Sequence, residues 1–333
     1  MTIERFGTLN GQDVLQVTLK GPDGMEAKIL TWGAVVRDLV VPLADVPQRV
    51  VLGLNSIEDY VAHSPYFGAI VGRYGNRIGG ARFTLDGETY ELDANEGRNQ
   101  LHGGSMGFGT RLWGIVDHTP SSLTLGLVSE DGDMGYPGRV VATCTYTLRE
   151  PSRLQIALEA TSDRPTPVNL TTHGYFNLDG SPDISAHELT IAGDYITPTQ
   201  PDLIPTGEIL IVAGTDYDFT AARPVHGAQH TLYDINYVLR GPYGELRHAA
   251  TLASRRNDLS MELWTTEPGV QFYDGHLIDI PVEGLDGAKY GKHGGLCLEP
   301  QRFPDGPNKA HFPESIVRPG RVSRQVSELR FSR

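Results

Sequence analysis

Glycine and proline constrain the fold of this chain more than any other feature. The 333 residues include 39 glycines and 22 prolines, and the turn signals they form are spread evenly along the sequence. Glycine destabilises a helix interior through its backbone entropy, and proline does so because it has no amide hydrogen. Both residues are frequent in turns. This composition predicts short strands joined by many turns rather than long helices.

Alternating or β-rich segments recur along the whole chain and predict strands. They are residues 14–19, 35–41, 122–129, 140–148, 154–160, 188–191, 246–254, 259–265, 296–298 and 322–331. A hairpin is predicted over residues 82–92, because Asp86 and Gly87 supply the positive φ angles of a tight turn. A helical pattern lasts only a turn or two, near residues 56–62.

The domain organisation follows from the absence of a linker or repeat in the sequence. Hydrophobic residues make up 39% of the chain, enough for a sizeable core. We predict an all-β fold, a large antiparallel β-sandwich formed as a single domain by residues 1–333. Two smaller β-domains are the alternative.

Charge and cysteine content limit the partners and the compartment. The net charge is −13 and the chain has no run of basic residues, so we expect no nucleic-acid partner. The first residues lack an apolar signal region and no 18 apolar residues run together, so we expect no membrane segment. Cys144 and Cys297 both lie in apolar, strand-like stretches, which is typical of free thiols in a reducing compartment. We therefore expect a cytoplasmic protein, monomeric or homodimeric.

Two glycine-rich segments carry polar groups that a strand core does not need. Residues 72–78 contain Asn76 and Arg77, whose amide and guanidinium groups can reach hydroxyls or carboxylates. In residues 99–104, two glycines follow His102 and allow a ligand to approach its ring closely. A solvated turn and a surface histidine are the alternatives for these segments.

Two further segments combine a titratable residue with apolar neighbours. His173 lies in an aromatic, strand-like run, where partial desolvation would hold its pKa near neutrality and suit proton transfer. Glu299 ends an apolar strand just before Pro300, and burial there would raise its pKa toward that of a useful base. The alternatives are a core histidine with satisfied hydrogen bonds and a strand-end carboxylate paired with Arg302.

Other chemistries find little support in the sequence. Ser105 lies in a G-x-S-x-G pattern, but the glycine-rich residues after it are a poor helix start, so a serine nucleophile is not expected. None of the 11 histidines has metal-ligand spacing, although His102, His173 and Glu299 would form a zinc site if they converged. Phosphate-binding and dinucleotide motifs are absent from the sequence. We expect neither a metal nor a cofactor.

Taken together, these segments resemble the aldose 1-epimerase (galactose mutarotase) family. The matching stretches, in the family's order, are residues 72–78, 101–104, 172–178, 233–237, 266–273, 298–301, 304–305, 312–313 and 318–320. The resemblance implies a large β-supersandwich with a sugar cleft. It also implies interconversion of the α and β anomers of an aldose, such as galactose or glucose, without a cofactor.

The resemblance also implies a role for individual residues. His173 resembles the family's general acid, Glu299 its general base, and His102 a second histidine at the sugar. The expected sugar-binding residues are Asn76, Arg77, Asp234, Gln271 and Tyr175. Opening a hemiacetal needs one proton donated to the ring oxygen and one removed from the anomeric hydroxyl, so one acid and one base suffice. A sugar-binding β-sandwich without activity is the alternative, and it would not need His173 and Glu299 together.

Overall fold

Antiparallel strands are the main regular elements of this computed structural model, which describes residues 1–43, 46–226 and 231–333. The first fourteen strands are β1 (Thr2–Leu9), β2 (Gln12–Lys20), β3 (Glu26–Leu30), β4 (Val36–Val41), β5 (Gln48–Arg49), β6 (Ala69–Val71), β7 (Arg77–Ile78), β8 (Arg82–Leu85), β9 (Glu88–Glu91), β10 (Gln100–Leu101), β11 (Gly114–Thr119), β12 (Ser122–Ser129), β13 (Val140–Arg149) and β14 (Arg153–Ser162). Further along the described chain are β15 (Thr166–Pro167), β16 (Thr171–His173), β17 (Tyr175–Phe176), β18 (Glu188–Ile191), β19 (Gly193–Thr197), β20 (Leu210–Ile211), β21 (Arg223–Pro224), β22 (Asp234–Leu239), β23 (Arg247–Ala253), β24 (Ser260–Thr265), β25 (Gly269–Tyr273), β26 (Leu296–Gln301), β27 (Ile316–Val317) and β28 (Ser323–Ser332).

Helices are few and short in the described residues. The α-helix α1 (Ile57–His63) begins after Ser56, whose side chain accepts a hydrogen bond from the amide of Asp59 and so caps the helix. Short 3₁₀ helices cover Gly79–Ala81, Phe108–Thr110, Asp133–Gly135, Leu285–Gly287 and Gly306–Asn308. None of the helices described here has the length and apolar character needed to cross a membrane.

Three large sheets carry the fold. The nine-stranded sheet has the order β11-β12-β13-β14-β28-β24-β23-β18-β21, the six-stranded sheet β17-β26-β25-β22-β19-β20, and the five-stranded sheet β1-β2-β3-β4-β5. Two-stranded pairs form between β7 and β10, β6 and β16, β8 and β9, and β15 and β27. All strand pairs within these sheets are antiparallel in the described chain, which confirms the predicted all-β class.

The period of two predicted from the sequence decides which side chains enter the core. Along β13, Val140, Ala142, Cys144, Tyr146 and Leu148 are all buried, and the residues between them are exposed or half-buried. The largest apolar cluster contains residues from β2 near the start of the chain and from β28 at its end. The core thus joins the two ends of the sequence.

Most predicted strands are present, some with shifted ends. The segments 122–129 and 188–191 form β12 and β18 as predicted, and the hairpin over residues 82–92 forms β8 and β9. The strand predicted over 296–298 is longer and runs through Pro300, so Glu299 lies inside β26 rather than at its end. Strand β17 pairs only with Leu296 and Cys297, so the second half of β26 has no partner strand on that side. A proline is tolerated at such an edge because it has no amide hydrogen to donate.

Candidate active site

The candidate site is built on short strands that approach the six-stranded sheet. Strand β7 begins with Arg77 and pairs with β10, which is followed directly by His102. Strand β16 ends at His173 and pairs with β6. The neighbouring strands β25 and β26 place Gln271 opposite Glu299. One ring nitrogen each of His102 and His173 and one carboxylate oxygen of Glu299 all lie within 4.8 Å of one another, although the residues are far apart in sequence.

His102 is held by two hydrogen bonds to the backbone of Asn76. Its amide donates to the Asn76 carbonyl at 3.0 Å, and the Asn76 amide donates to His102 Nδ1 at 3.0 Å. Since Nδ1 accepts a hydrogen bond, the neutral ring carries its proton on Nε2. Burial, with smaller contributions from His173 and Arg77, lowers the pKa of His102 well below its ordinary value. His102 is therefore a neutral hydrogen-bond donor through Nε2.

His173 is enclosed by aromatic rings. It stacks on Tyr66 and on Tyr175, with ring centroids 5.8 and 5.2 Å away. Its Nε2 lies 3.7 Å from Glu299 Oε1, and its Nδ1 lies 3.6 Å from Cys297 Sγ. Only 5% of His173 is exposed, and burial lowers its pKa to about 4. The expected near-neutral pKa was wrong, because the ring is almost completely rather than partly desolvated.

Glu299 is the corresponding buried acid. It is 2% exposed, and its Oε2 has no hydrogen-bond partner among the described residues. Burial and the negative charge of Asp234 raise its pKa well above the ordinary value, against a smaller opposite effect of Arg77. The alternative of a pair with Arg302 is wrong, because Arg302 Nε lies 2.9 Å from Glu267 Oε2 instead.

These two shifts decide where the proton of the pair lies. The pKa of Glu299 is raised and that of His173 is lowered to about 4, so both shifts favour the form of the ligand-free pair in which a single proton lies on Glu299. The alternative form, with protonated His173 and ionised Glu299, contains the same number of protons. The two forms interconvert by moving one proton between groups 3.7 Å apart.

A charged network fixes Arg77 and Asp234 on one side of the site. Arg77 donates from Nε and from a terminal nitrogen to the two carboxylate oxygens of Glu96, at 2.7 and 2.8 Å. Its other terminal nitrogen lies 3.6 Å from Asp234 Oδ2. Gln271 Nε2 donates to Asp234 Oδ1 at 2.6 Å, and Gln271 Oε1 accepts from Gln301 at 3.1 Å. Both polar atoms of the Gln271 side chain are therefore engaged with protein groups, and Gln271 orients Asp234. The sugar-binding role predicted for Gln271 would then be exerted through Asp234.

Two more of the predicted sugar-binding residues have different surroundings. The Oδ1 atom of Asn76 accepts a hydrogen bond from the Arg77 amide at 2.9 Å, while its side-chain nitrogen donates to no group in the part of the chain that the structure describes. The hydroxyl of Tyr175 donates to the Pro65 carbonyl at 3.1 Å, and its ring stacks on His173. Asn76 thus offers a free donor, whereas Tyr175 supports His173.

Comparison with known proteins identifies the family. A sequence model described as aldose 1-epimerase matches residues 15–330 of the chain. The chain belongs to the aldose 1-epimerase family. It is 41% identical over 325 residues to a galactose mutarotase of Bos taurus, covering 93% of this chain and 92% of that protein. It is 36% identical over 335 residues to an aldose 1-epimerase of Escherichia coli (strain K12), covering 97% and 96%.

Solved structures of the family have the same fold. A GalM/aldose epimerase homologue from C. elegans superposes with a TM-score of 0.90 at 30% sequence identity, covering 96% of this chain and 99% of that one. A galactose 1-epimerase from Lactobacillus acidophilus NCFM gives a TM-score of 0.84 at 25% identity, covering 99% and 98%. The fold implied by the family resemblance is thereby confirmed.

The three central residues of this aldose 1-epimerase site suit proton transfer better than metal binding. A metal ligand must offer a lone pair. His102 already uses its Nδ1 lone pair for the Asn76 amide, so its Nε2 carries the proton and has no lone pair for a metal. The site therefore lacks the third protein ligand that a zinc centre of His102, His173 and Glu299 would require.

The serine nucleophile is also rejected by the geometry. Ser105 is exposed in a turn, and its hydroxyl faces the sulfur of Met134 at 3.9 Å rather than a histidine. The segment that follows contains only the short 3₁₀ helix Phe108–Thr110, not the long helix of a nucleophile elbow.

Sequence reasoning missed three residues that shape the site. Tyr66 lies against both His102 and His173, with ring centroids 4.7 and 5.8 Å away. Glu96 anchors Arg77, and Cys297, interpreted only as a core thiol, touches the ring of His173. Tyr66 and Glu96 lie outside the helices and long strands and in no motif that the sequence analysis recognised, so no sequence signal pointed to them.

Proposed function

We propose that the protein interconverts the α and β anomers of an aldohexose, such as galactose or glucose, by opening and reclosing the sugar ring. The observation that carries this proposal is the buried pair of His173 and Glu299, whose Nε2 and Oε1 atoms lie 3.7 Å apart. Reversible ring opening moves one proton on each side of the anomeric carbon, and this pair can supply both transfers. The family membership and the named activities of the relatives support the same reaction.

Ring opening uses the form of the pair with its proton on His173. His173 donates that proton to the ring oxygen while Glu299 accepts the proton of the anomeric hydroxyl. The bond between C1 and the ring oxygen breaks and C1 becomes an aldehyde carbon. The protein is left with protonated Glu299 and neutral His173, which is the form that their pKa shifts favour without ligand.

Ring closure is the reverse of opening after the C1–C2 bond has rotated. His173 takes the proton of the sugar hydroxyl, and Glu299 returns its proton to the aldehyde oxygen. The hydroxyl attacks the other face of the carbonyl and gives the opposite anomer. Protons balance over the cycle, and neither a metal nor a redox centre is needed by these steps.

The remaining residues bind the sugar or orient the groups that bind it. We assign His102 the role of a neutral donor to a sugar oxygen, because its Nε2 carries the proton and one of its ring nitrogens lies within 4.8 Å of the pair. Asp234, Arg77 and Asn76 bind hydroxyls, since a polyhydroxy ligand matches acceptors and donors fixed in advance. Gln271 and Tyr175 act through Asp234 and His173.

The setting of this activity is part of the proposal. We assign the activity to residues 1–333 as a single domain, acting as a monomer or a homodimer, with a small aldose as its partner and no nucleic acid. The two cysteines of the chain are buried and unpaired, which is in keeping with a reducing, cytoplasmic location.

Polarimetry of freshly dissolved sugars tests the proposal. The protein, in excess chelator, is added to α-galactose, α-glucose and an aldopentose, and the approach to anomeric equilibrium is timed against buffer alone. We expect a faster approach for at least one hexose, undiminished by the chelator. Sugar binding without any acceleration would instead support a sugar-binding protein without activity. Activity lost in chelator and restored by zinc would overturn the metal-free mechanism.

A further inference from the structure

A second cluster of titratable side chains lies outside the candidate active site. Asp274 follows β25 directly and is fully buried. His226 follows β21 closely, His293 precedes β26, and His276 lies two residues beyond Asp274. The cluster thus joins three segments that are far apart along the chain.

The spacing within this cluster matches the ligand set of a tetrahedral metal ion. His226 Nε2 lies 3.2 Å from His293 Nδ1 and 3.3 Å from Asp274 Oδ2. His293 Nδ1 lies 3.9 Å from Asp274 Oδ2. Metal–ligand bonds of about 2.0–2.1 Å at tetrahedral angles place neighbouring ligand atoms roughly 3.4 Å apart. The three atoms can therefore surround one ion with small adjustments.

The nitrogen atoms of the cluster can present lone pairs to an ion. Because Asp274 Oδ2 accepts from the Tyr233 amide, His226 Nε2 needs no proton to satisfy that oxygen. His293 Nδ1 lies 2.9 Å from the main-chain carbonyl of Asp274, and binding an ion would replace that contact. With both nitrogens unprotonated, three atoms that carry lone pairs lie within 3.9 Å of one another, and a cation between them would offset their repulsion.

The carboxylate of the cluster is held as metal-ligating carboxylates are. Asp274 Oδ1 accepts from the ring of His276 at 2.6 Å and from its amide at 3.1 Å, and Oδ2 accepts from the Tyr233 amide at 3.1 Å. Such outer contacts fix the orientation of a ligand. The side chains of His226 and His293 are each 15% exposed, so an ion can enter and water can complete its coordination.

We propose that His226, His293 and Asp274 bind a divalent transition-metal ion, zinc above all, at a structural site separate from His173 and Glu299. Nitrogen and oxygen donors in this number are a common zinc set. The site would tie the end of β25 to the segment that follows β21 and to the segment that precedes β26. The ion would stabilise the folded state and take no part in the anomer reaction.

The test uses tag-free, full-length protein stripped with a chelator and dialysed. Cobalt(II) serves as a spectroscopic probe, because tetrahedral coordination gives it strong visible absorption, and zinc is titrated while the thermal midpoint Tm is recorded. We expect a visible cobalt band and a Tm rise on the order of 5 °C at about a hundredfold excess of zinc over its Kd. Both responses should be lost in His226→Gln and in His293→Gln, which replace partly exposed side chains.

Matched variants separate this site from other histidines. His248→Gln, on β23, and His102→Gln, in the candidate active site, should keep both responses. The proposal is overturned if the unmodified protein shows neither response, or if the double variant His226→Gln/His293→Gln responds as the unmodified protein does. Loss of the response in His102→Gln alone would place the ion at the active site and also overturn it. Mutarotation by His226→Gln is measured separately in chelator. A failure of the metal proposal can then be told apart from a failure of the proposed function.

Discussion

His173 and Glu299 behave as one unit at the scale of the residue, because the proposed mechanism requires a single proton on the pair. Activity requires one proton on the pair, whichever residue carries it between turnovers. A second proton on the pair prevents it from accepting the proton of the anomeric hydroxyl. Loss of the only proton prevents it from donating one to the ring oxygen. The pH dependence of kcat/KM therefore reports the pair rather than either residue alone.

We expect a bell-shaped pH profile of kcat/KM. The acid limb reports addition of the second proton, and the pKa of His173, lowered to about 4, places it in the acid range. The alkaline limb reports loss of the proton of Glu299, whose pKa burial and Asp234 raise well above its ordinary value. Initial rates from polarimetry between pH 3.5 and 10 measure both limbs. An acid limb centred near 6.5, the ordinary value of a histidine, would contradict this account.

Asp234 contributes charge and hydrogen bonds but transfers no proton in the proposed mechanism. Asp234→Asn should raise KM by roughly tenfold, the cost of a weakened hydrogen bond of about 1–1.5 kcal/mol, with kcat changed much less. The alkaline limb should also move to lower pH, because Asp234 helps to raise the pKa of Glu299. Asp194→Asn, at an exposed aspartate paired with Arg240, is the control. A loss confined to kcat would argue that Asp234 acts in the chemistry instead.

At the scale of the element, the long strands were predictable and the short ones were not. Segments of eight or ten residues, such as β12 and β14, show a period of two that few other structures produce. The strands that carry the site, β6, β7, β10 and β16, have only two or three residues, too few for any periodic pattern. The family resemblance covers residues of β7, β10 and β16, whereas β6 was not expected.

The sequence named candidate site residues that lie together in the structure, but their surroundings were not predictable. His102, His173 and Glu299 were named from the sequence, and the structure brings them together. The degree of burial of His173 depends on contacts such as that with Cys297, 124 residues away in sequence. Local sequence cannot supply such contacts, so the direction of its pKa shift was missed. For the same reason the hydrogen bond from the Tyr175 hydroxyl to the Pro65 carbonyl was not foreseen, and the role of Tyr175 in sugar binding stays a prediction.

The turn after His102 depends on one glycine. Gly103 has a φ of +86°, and a Cβ there would clash with the carbonyl oxygen of Gly72. Gly132 has a similar φ of +82°, but a Cβ there would meet nothing within 4 Å. Gly132→Ala should cost about 1 kcal/mol of unfolding free energy from backbone strain alone, and Gly103→Ala at least twice as much.

The two alanine variants are compared by urea unfolding and by mutarotation rate. We expect only Gly103→Ala to lose kcat as well as stability, since His102 is displaced with its turn. Equal effects of the two variants would show that close packing against Gly72 is unimportant for the site.

At the scale of the whole molecule, the core links distant parts of the chain. Strand β28, near the end of the sequence, lies between β14 and β24 in the nine-stranded sheet. The all-β class was predictable from glycine, proline and periodicity, whereas this order was not, because strand patterns do not specify their neighbours. The sheet order becomes known only through the structure and its agreement with relatives such as the C. elegans homologue, with a TM-score of 0.90.

Burial of neutral histidines should make the whole molecule sensitive to acid. The pKa of His173 is about 4 in the folded protein and 6.5 in its ordinary state, so between these values the unfolded chain binds more protons. The contribution of neutral His173 to the free energy of unfolding is complete above pH 6.5 and is lost as the pH falls to 4. This contribution amounts to about 3 kcal/mol. His173→Gln should therefore lose less unfolding free energy than the unmodified protein between pH 7 and pH 4. Urea unfolding at the two pH values measures this, and equal losses in both proteins would contradict the shift.

The central claim, that His173 and Glu299 together carry the proton transfers, is tested most directly by kcat for mutarotation of the preferred sugar in three variants. Glu299→Gln and His173→Gln should each lower kcat by about 10²–10⁴-fold while the fold and most of the sugar affinity survive. His102→Gln removes a hydrogen bond only and should lower kcat less. If Glu299→Gln kept more than about a tenth of the original kcat while His102→Gln abolished it, the assignment of the base to Glu299 would be wrong.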